Sequence, residues 1–92
     1  MAEEYWLVGD VDLHDGLTTD DVQEALHAPG ALRHENRLPV RKPSLLAVCA
    51  PTKGLRLIVV FCKRADPWPA WLVVAARDAT MVERAMWRER TS

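Results

Sequence analysis

The sequence predicts an α+β fold in which two helices flank a small antiparallel sheet, within a single domain over residues 1–92. Two runs carry helix-start signals, and other runs are rich in β-branched and aromatic residues. Hydrophobic residues make up 49% of the chain and charged residues 27%, as in globular proteins. A chain of 92 residues is too short for two domains, because neither half would bury enough apolar surface to fold.

The first helix is predicted over about residues 19–28, after a short β-prone run at 4–8. Thr18 and Asp21 have the spacing of a capping box, in which the two side chains accept each other's backbone N–H groups. The apolar residues of this helix share one face and are Val22, Ala25 and Leu26. The pair Pro29–Gly30 ends the helix.

The predicted sheet consists of short strands that follow this helix. Residues 31–35 form a candidate edge strand, and the predicted strands 45–50, 55–63 and 70–77 follow. The run 55–63 is apolar on both faces, which is typical of a central strand. We expect neighbouring strands to pair in antiparallel fashion, because short connections join them.

The turn 51–54, with Gly54 at the position of positive φ, sets the predicted register of the hairpin. It places Cys49 opposite about residue 56 and Cys62 opposite about residue 43. The two cysteines are then too far apart for a disulfide, which needs Cα atoms within ~7 Å. Two free thiols are typical of a reducing compartment.

The last helix is predicted over about residues 79–90, with Thr80 and Glu83 as a second capping box. No run in the chain reaches the ~18–20 apolar residues that a membrane-spanning helix needs. The first residues also lack the basic and apolar regions of a signal peptide. Together with the free thiols, these features predict a cytoplasmic protein that does not associate with membranes.

Charge is unevenly distributed along the chain. Residues 1–45 contain nine acidic and four basic side chains, whereas residues 46–92 contain four acidic and eight basic ones. The net charge of -1 excludes a protein that binds nucleic acid by bulk charge alone. The excess of basic residues in the second half of the chain nevertheless predicts a basic face on a weakly acidic protein.

A candidate phosphate site combines two strand arginines with a helix start. The predicted register brings Arg56 and Arg77 together at the end of the sheet where the last helix begins, and Lys53 lies in the turn at the same end. Unpaired N–H groups in the first turn of that helix also favour an anion. The alternative is that both arginines pair with surface carboxylates such as Asp78 and Glu83.

His34 and Glu83 are the candidate proton-transfer residues. The alternatives are that His34 is an exposed histidine on an edge strand and that Glu83 serves only to cap its helix. The three histidines lack the spacing of a zinc site, and no phosphate-loop or dinucleotide-binding motif occurs. We therefore expect no metal ion and no cofactor.

Two segments of the C-terminal half resemble a known family. Residues 54–61 read GLRLIVVF, and residues 73–84 read VVAARDATMVER. These segments resemble the glycine turn, strand and helix of the BrnT family of ribonuclease toxins, and the upstream HDGLT segment is similar to that family's histidine-containing stretch. On this mapping, Arg77, Glu83 and Arg84 occupy charged positions of the motif, which implies that Arg84 contacts RNA.

The resemblance implies a RelE-like fold, metal-independent endoribonuclease activity of the toxin type, and a cognate antitoxin as partner. In the predicted mechanism, Arg56 and Arg77 hold the scissile phosphate of the RNA, and Lys53 adds to this site. Glu83 or His34 takes the proton of the ribose 2′-OH. The alternatives are a non-catalytic protein-interaction module and a nucleic-acid-binding module of the same fold. Both a homo-oligomer and a hetero-oligomer are open at this point.

Overall fold

The computed structural model describes residues 4–7, 10–36, 45–64 and 70–91, which contain six strands and two helices. In chain order, the elements are β1 (Glu4–Trp6), β2 (Asp12–Leu13), α1 (Thr19–Leu26), β3 (Leu32–Asn36), β4 (Leu45–Pro51), β5 (Leu57–Arg64), β6 (Ala70–Asp78) and α2 (Met81–Thr91). Both predicted helices, and the four predicted strands of the sheet, are present within two residues of their predicted bounds. The α+β class is therefore confirmed.

The strands form one sheet in the order β1-β6-β5-β4-β3, and β2 also pairs with β6. The pairs β3–β4, β4–β5 and β5–β6 are antiparallel, whereas β1 and β2 run parallel to β6. The predicted antiparallel pairing of the strands at 45–50, 55–63 and 70–77 is confirmed, and the parallel strands β1 and β2 at one edge make the sheet mixed. Strands β1 and β2 have only three and two residues, so their side-chain pattern does not indicate whether they run parallel or antiparallel to β6. Long-range pairing decides the strand direction.

The hairpin β4–β5 pairs Cys49 with Val59, three residues beyond the predicted partner. The connection is longer than predicted, since the Thr52 N–H donates to the Arg56 carbonyl at 2.9 Å and closes a wider turn. Positive φ falls on Leu55, at 63°, and not on Gly54. Both cysteines are free, as predicted.

A β-bulge in β6 changes which face its side chains occupy. The register shifts between Phe61 and Cys62 of β5, where Val74 is an extra residue on β6. Because side chains alternate with a period of two, this extra residue moves Arg77 to the opposite face of the sheet. The predicted register has no bulge, and it therefore places Arg77 on the face of Arg56.

The main core lies between α1 and one face of the sheet. The capping box of α1 is confirmed: Thr18 Oγ1 accepts from the Asp21 N–H at 3.2 Å, and the Asp21 carboxylate accepts from the Thr18 N–H at 3.0 Å. The buried residues of this core are Leu17, Val22, Ala25, Leu26, Leu46, Val48, Ala50, Ile58, Val60, Cys62, Trp71, Val73 and Ala76.

The opposite face of the sheet has a smaller buried cluster, formed by Leu57, Val59 and Ala79. Trp87 of α2 packs against this cluster, but most side chains of α2 are exposed to solvent. The helix therefore covers its face of the sheet only in part. In the described part of the chain, no helix is long and apolar enough to cross a membrane.

Candidate functional site

A groove of about 350 Å³ opens on the side of the sheet that carries α2. Strands β3, β4 and β5 supply its floor, and α2 forms one wall. We call it the α2 groove, and its lining residues are Leu32, Arg33, His34, Ala47, Cys49, Val59, Glu83, Met86 and Arg90.

Small side chains on the central strands leave room for the groove. Ala47 of β4 lies opposite His34 of β3, and Cys49 lies opposite Leu32. Directly opposite residues of an antiparallel pair share one face of the sheet, so the His34 imidazole stands beside the Ala47 methyl group. Burial raises the pKa of the Cys49 thiol, which keeps the sulfur protonated and makes it part of the apolar floor.

Arg77 and Glu83 form an ion pair with two hydrogen bonds at the wall of the groove. Arg77 Nη1 and Nη2 donate to Glu83 Oε1 and Oε2 at 2.7 and 3.0 Å, and the guanidinium lies 5.2 Å from the centre of the Phe61 ring. Hydrogen bonding by Arg77 lowers the pKa of Glu83 to about 2, and the Thr80 N–H, 2.7 Å from Oε1, adds to this effect. A carboxylate with so low a pKa is a weak base, so the geometry favours a role for this pair in positioning α2.

Glu83 also caps the start of α2, as the sequence predicts. The Glu83 N–H donates to Thr80 Oγ1 at 3.2 Å, which completes the predicted capping box of α2. Glu83 therefore serves the helix start and the ion pair together. Catalytic roles for Arg77 and Glu83 stay predictions.

Arg56 belongs to a separate cluster on the α1 side of the sheet. Its Nε and Nη2 donate to Asp78 Oδ1 and Oδ2 at 2.6 and 2.9 Å, and Nη2 also donates to the Asp15 carbonyl. The hydrogen bond from Arg56 lowers the pKa of Asp78. Asp78 pairs with Ile58, which is buried on the α1 side, whereas Arg77 lies on the α2 side. The predicted convergence of Arg56 and Arg77 on one face is therefore wrong.

Lys53 and Arg84 lie outside the lining of the groove. The backbone N–H of Lys53 donates to Glu24 Oε1 of α1 at 3.1 Å, which places this turn on the α1 side. Arg84 is exposed on α2, where its Nε donates to the Ala79 carbonyl at 3.3 Å. RNA contacts by Lys53 and Arg84 stay predictions, and neither residue belongs to the α2 groove.

Of the six predicted site residues, His34 and Glu83 line the groove. Arg33 and Arg90, which were not selected from the sequence, line it as well. Arg33 pairs with Val48 of the main core, so its side chain lies on the α1 side and only its main chain borders the groove. A signal for Arg90 was present, because Glu83, Met86 and Arg90 have the i, i+3, i+7 spacing of a single helix face. This face carries charge, and a search for an apolar face therefore overlooks it.

No protein-family profile, curated protein sequence or solved structure matches the chain. The BrnT resemblance and the RelE-like fold therefore stay predictions. The residues of the α2 groove are therefore the observation that can support a function.

Proposed function

We propose that the protein is a toxin-type endoribonuclease of the cytoplasm, which cleaves RNA in the α2 groove without a metal ion. The observation that carries this proposal is the His34 imidazole in one groove with the side chain of Arg90, over an apolar floor. Imidazole exchanges protons near neutral pH, and guanidinium binds phosphate through paired hydrogen bonds. The groove thus combines the two kinds of group that cleavage by a ribose 2′-OH requires, and the BrnT resemblance points to the same activity.

In the proposed reaction, a ring nitrogen of His34 takes the proton of a ribose 2′-OH. The 2′-oxygen forms a bond to the adjacent phosphorus, and the bond from phosphorus to the 5′-oxygen of the next nucleotide breaks. Water protonates the departing 5′-oxygen, and the hydroxide that remains takes the proton from His34. The products are a 2′,3′-cyclic phosphate and a free 5′-hydroxyl.

Arg90 binds the scissile phosphate in this proposal and stabilises the charge that develops on its oxygens. The Arg77–Glu83 ion pair holds the wall of the groove that carries Arg90. Arg56 has no contact with the reacting phosphate in this proposal, because its guanidinium is engaged on the other face of the sheet. The cognate antitoxin that the resemblance implies would cover the α2 groove.

The test is cleavage of a single-stranded RNA oligonucleotide by the purified protein in the presence of EDTA. We expect products that end in a 2′,3′-cyclic phosphate, identified by mass spectrometry, and we expect His34→Gln to lower the rate by ~10²–10⁴-fold. His27→Gln is the matched control, because His27 is an exposed histidine at the end of α1 and should leave the rate unchanged. Undiminished cleavage by the His34→Gln variant, or products with 5′-phosphates, would overturn the proposal.

The second candidate function is RNA binding without cleavage. The engagement of Glu83 by Arg77 favours it, because this pairing leaves His34 without the help of the other candidate proton-transfer group. In that case the protein binds the oligonucleotide with an affinity that falls as salt rises, and no cyclic phosphate forms. Arg90→Gln then weakens binding, whereas His34→Gln has little effect.

A further inference from the structure

Within the described part of the chain, the three most exposed large apolar side chains are Leu55, Met81 and Val82, at 86%, 86% and 70% exposure. Leu55 lies in the turn before β5, and the other two form the first turn of α2. The Ala79 N–H donates to the Leu57 carbonyl at 3.1 Å, so both segments leave the sheet at the same end. We call these three residues the apolar tip.

Leu55 is an unfavourable residue for its position if the protein stays alone. Its φ of 63° lies in the left-handed region, where glycine and asparagine are favoured over a bulky side chain. Its side chain is exposed to water and contributes nothing to either buried cluster. An exposed apolar residue in a strained backbone conformation is typical of a contact surface.

Opposite charges lie on the two sides of the apolar tip. On the α1 side, the acidic residues Asp15, Asp21, Glu24 and Asp78 outnumber the basic residues Arg56 and Lys53 that they surround. On the α2 side, Arg84 follows the tip by less than one helical turn, and Arg88 lies one turn further on. This arrangement agrees with the acidic first half and the basic second half of the chain.

We propose that the apolar tip docks onto the apolar tip of a second copy of this chain, around a two-fold axis. Rotation by this axis brings the acidic α1 side of each copy against the basic α2 side of the other, and a self-complementary patch of this kind closes into a dimer. An anionic membrane fits the tip less well, because the carboxylates of the α1 side outnumber its basic groups and repel anionic headgroups.

Sedimentation velocity of the full chain over a range of concentrations tests the proposal. We expect a monomer–dimer equilibrium whose Kd rises by about tenfold or more in the Leu55→Asn and Met81→Gln variants, as for residues at the centre of an interface. Raising the salt from about 0.05 M to about 0.5 M should also weaken the dimer, since screening reduces the attraction between its charged sides. Asparagine suits the left-handed backbone, and the melting temperature of each variant reports whether it folds.

Leu45→Gln is the matched control. Leu45 is an exposed leucine, 44% accessible, and it pairs with Lys63 at the opposite end of the sheet, so its replacement should leave the Kd unchanged. A monomer at all concentrations, a dimer that folded tip variants leave intact, or open-ended polymers would each overturn the proposal. Binding of a monomeric protein to vesicles of phosphatidylglycerol, lost in the tip variants, would overturn it in favour of a lipid surface.

Discussion

Replacing Glu83 by Gln removes the charge of the ion pair that holds α2 to the sheet. Glu83 and Arg77 are 27% and 33% exposed, which places the pair between a buried and a surface ion pair. A carboxyl pKa that falls from 4.5 to about 2 corresponds to about 3 kcal/mol of stabilisation, because one unit is worth about 1.4 kcal/mol. The remaining contact with solvent reduces this to about 2 kcal/mol.

Thermal denaturation at pH 7 measures this contribution. The Glu83→Gln variant should melt roughly 10 °C below the wild type, since 1 kcal/mol shifts the melting temperature of a domain of this size by about 4–8 °C. Glutamine keeps an oxygen that accepts the Thr80 N–H, so the helix cap is retained. Arg77→Gln should cost a similar amount, and the double variant should lose little more than either single variant. Lys63→Gln, at an exposed position of β5 at the opposite end of the sheet, is the control and should leave the melting temperature nearly unchanged.

The same pair predicts a definite dependence on pH. Because folding lowers the pKa of Glu83, the stabilisation is complete above the ordinary value of 4.5 and is lost as the pH falls through about 2. The difference in unfolding free energy between the wild type and Glu83→Gln should therefore shrink over this range. A difference that stays constant down to pH 2, or Glu83→Gln and wild-type melting temperatures that agree at pH 7, would refute the reasoning.

Two further predictions concern the cysteines and the cap of α1. Burial raises the pKa of Cys62 to about 12, and we expect Cys62 to react with a thiol reagent only after unfolding. Cys49, which lines the α2 groove, should react slowly in the folded protein. Equal rates of modification, measured by mass spectrometry, would contradict this placement. Thr18→Ala removes the N-cap acceptor of α1 and should lower the unfolding free energy by about 1 kcal/mol in urea denaturation, with Thr19→Ala as the control that keeps the cap.

The positions of the elements were predictable because their signals are local. A capping box depends on two residues three positions apart, and both predicted boxes are present, at Thr18 with Asp21 and at Thr80 with Glu83. The apolar face of α1 follows from helical spacing alone. Tertiary contacts do not override these signals here, since each cap lies at an exposed helix start.

The pairing of the strands was less predictable because it depends on distant residues. The wider turn at Leu55 shifts the hairpin by three residues, and the extra Val74 moves Arg77 to the other face. The alternation of apolar and polar residues does not distinguish a strand with a β-bulge from a regular strand when both faces of the strand are apolar. The predicted convergence of Arg56 and Arg77 on one face is wrong for this reason. Each arginine is instead paired with a carboxylate, as the alternative prediction had it.

The orientation of α2 decides which residues form the candidate site. A surface helix usually turns its apolar face to the core, but α2 turns Glu83, Met86 and Arg90 toward the sheet and leaves Met81 and Val82 in solvent. Polar contacts hold a helix of this kind in place, and breaking them both destabilises the fold and moves the wall of the groove. Glu83→Gln should therefore lower RNA cleavage along with the melting temperature, whereas His34→Gln should lower cleavage alone. This difference separates a residue that positions the wall from one that takes part in the reaction.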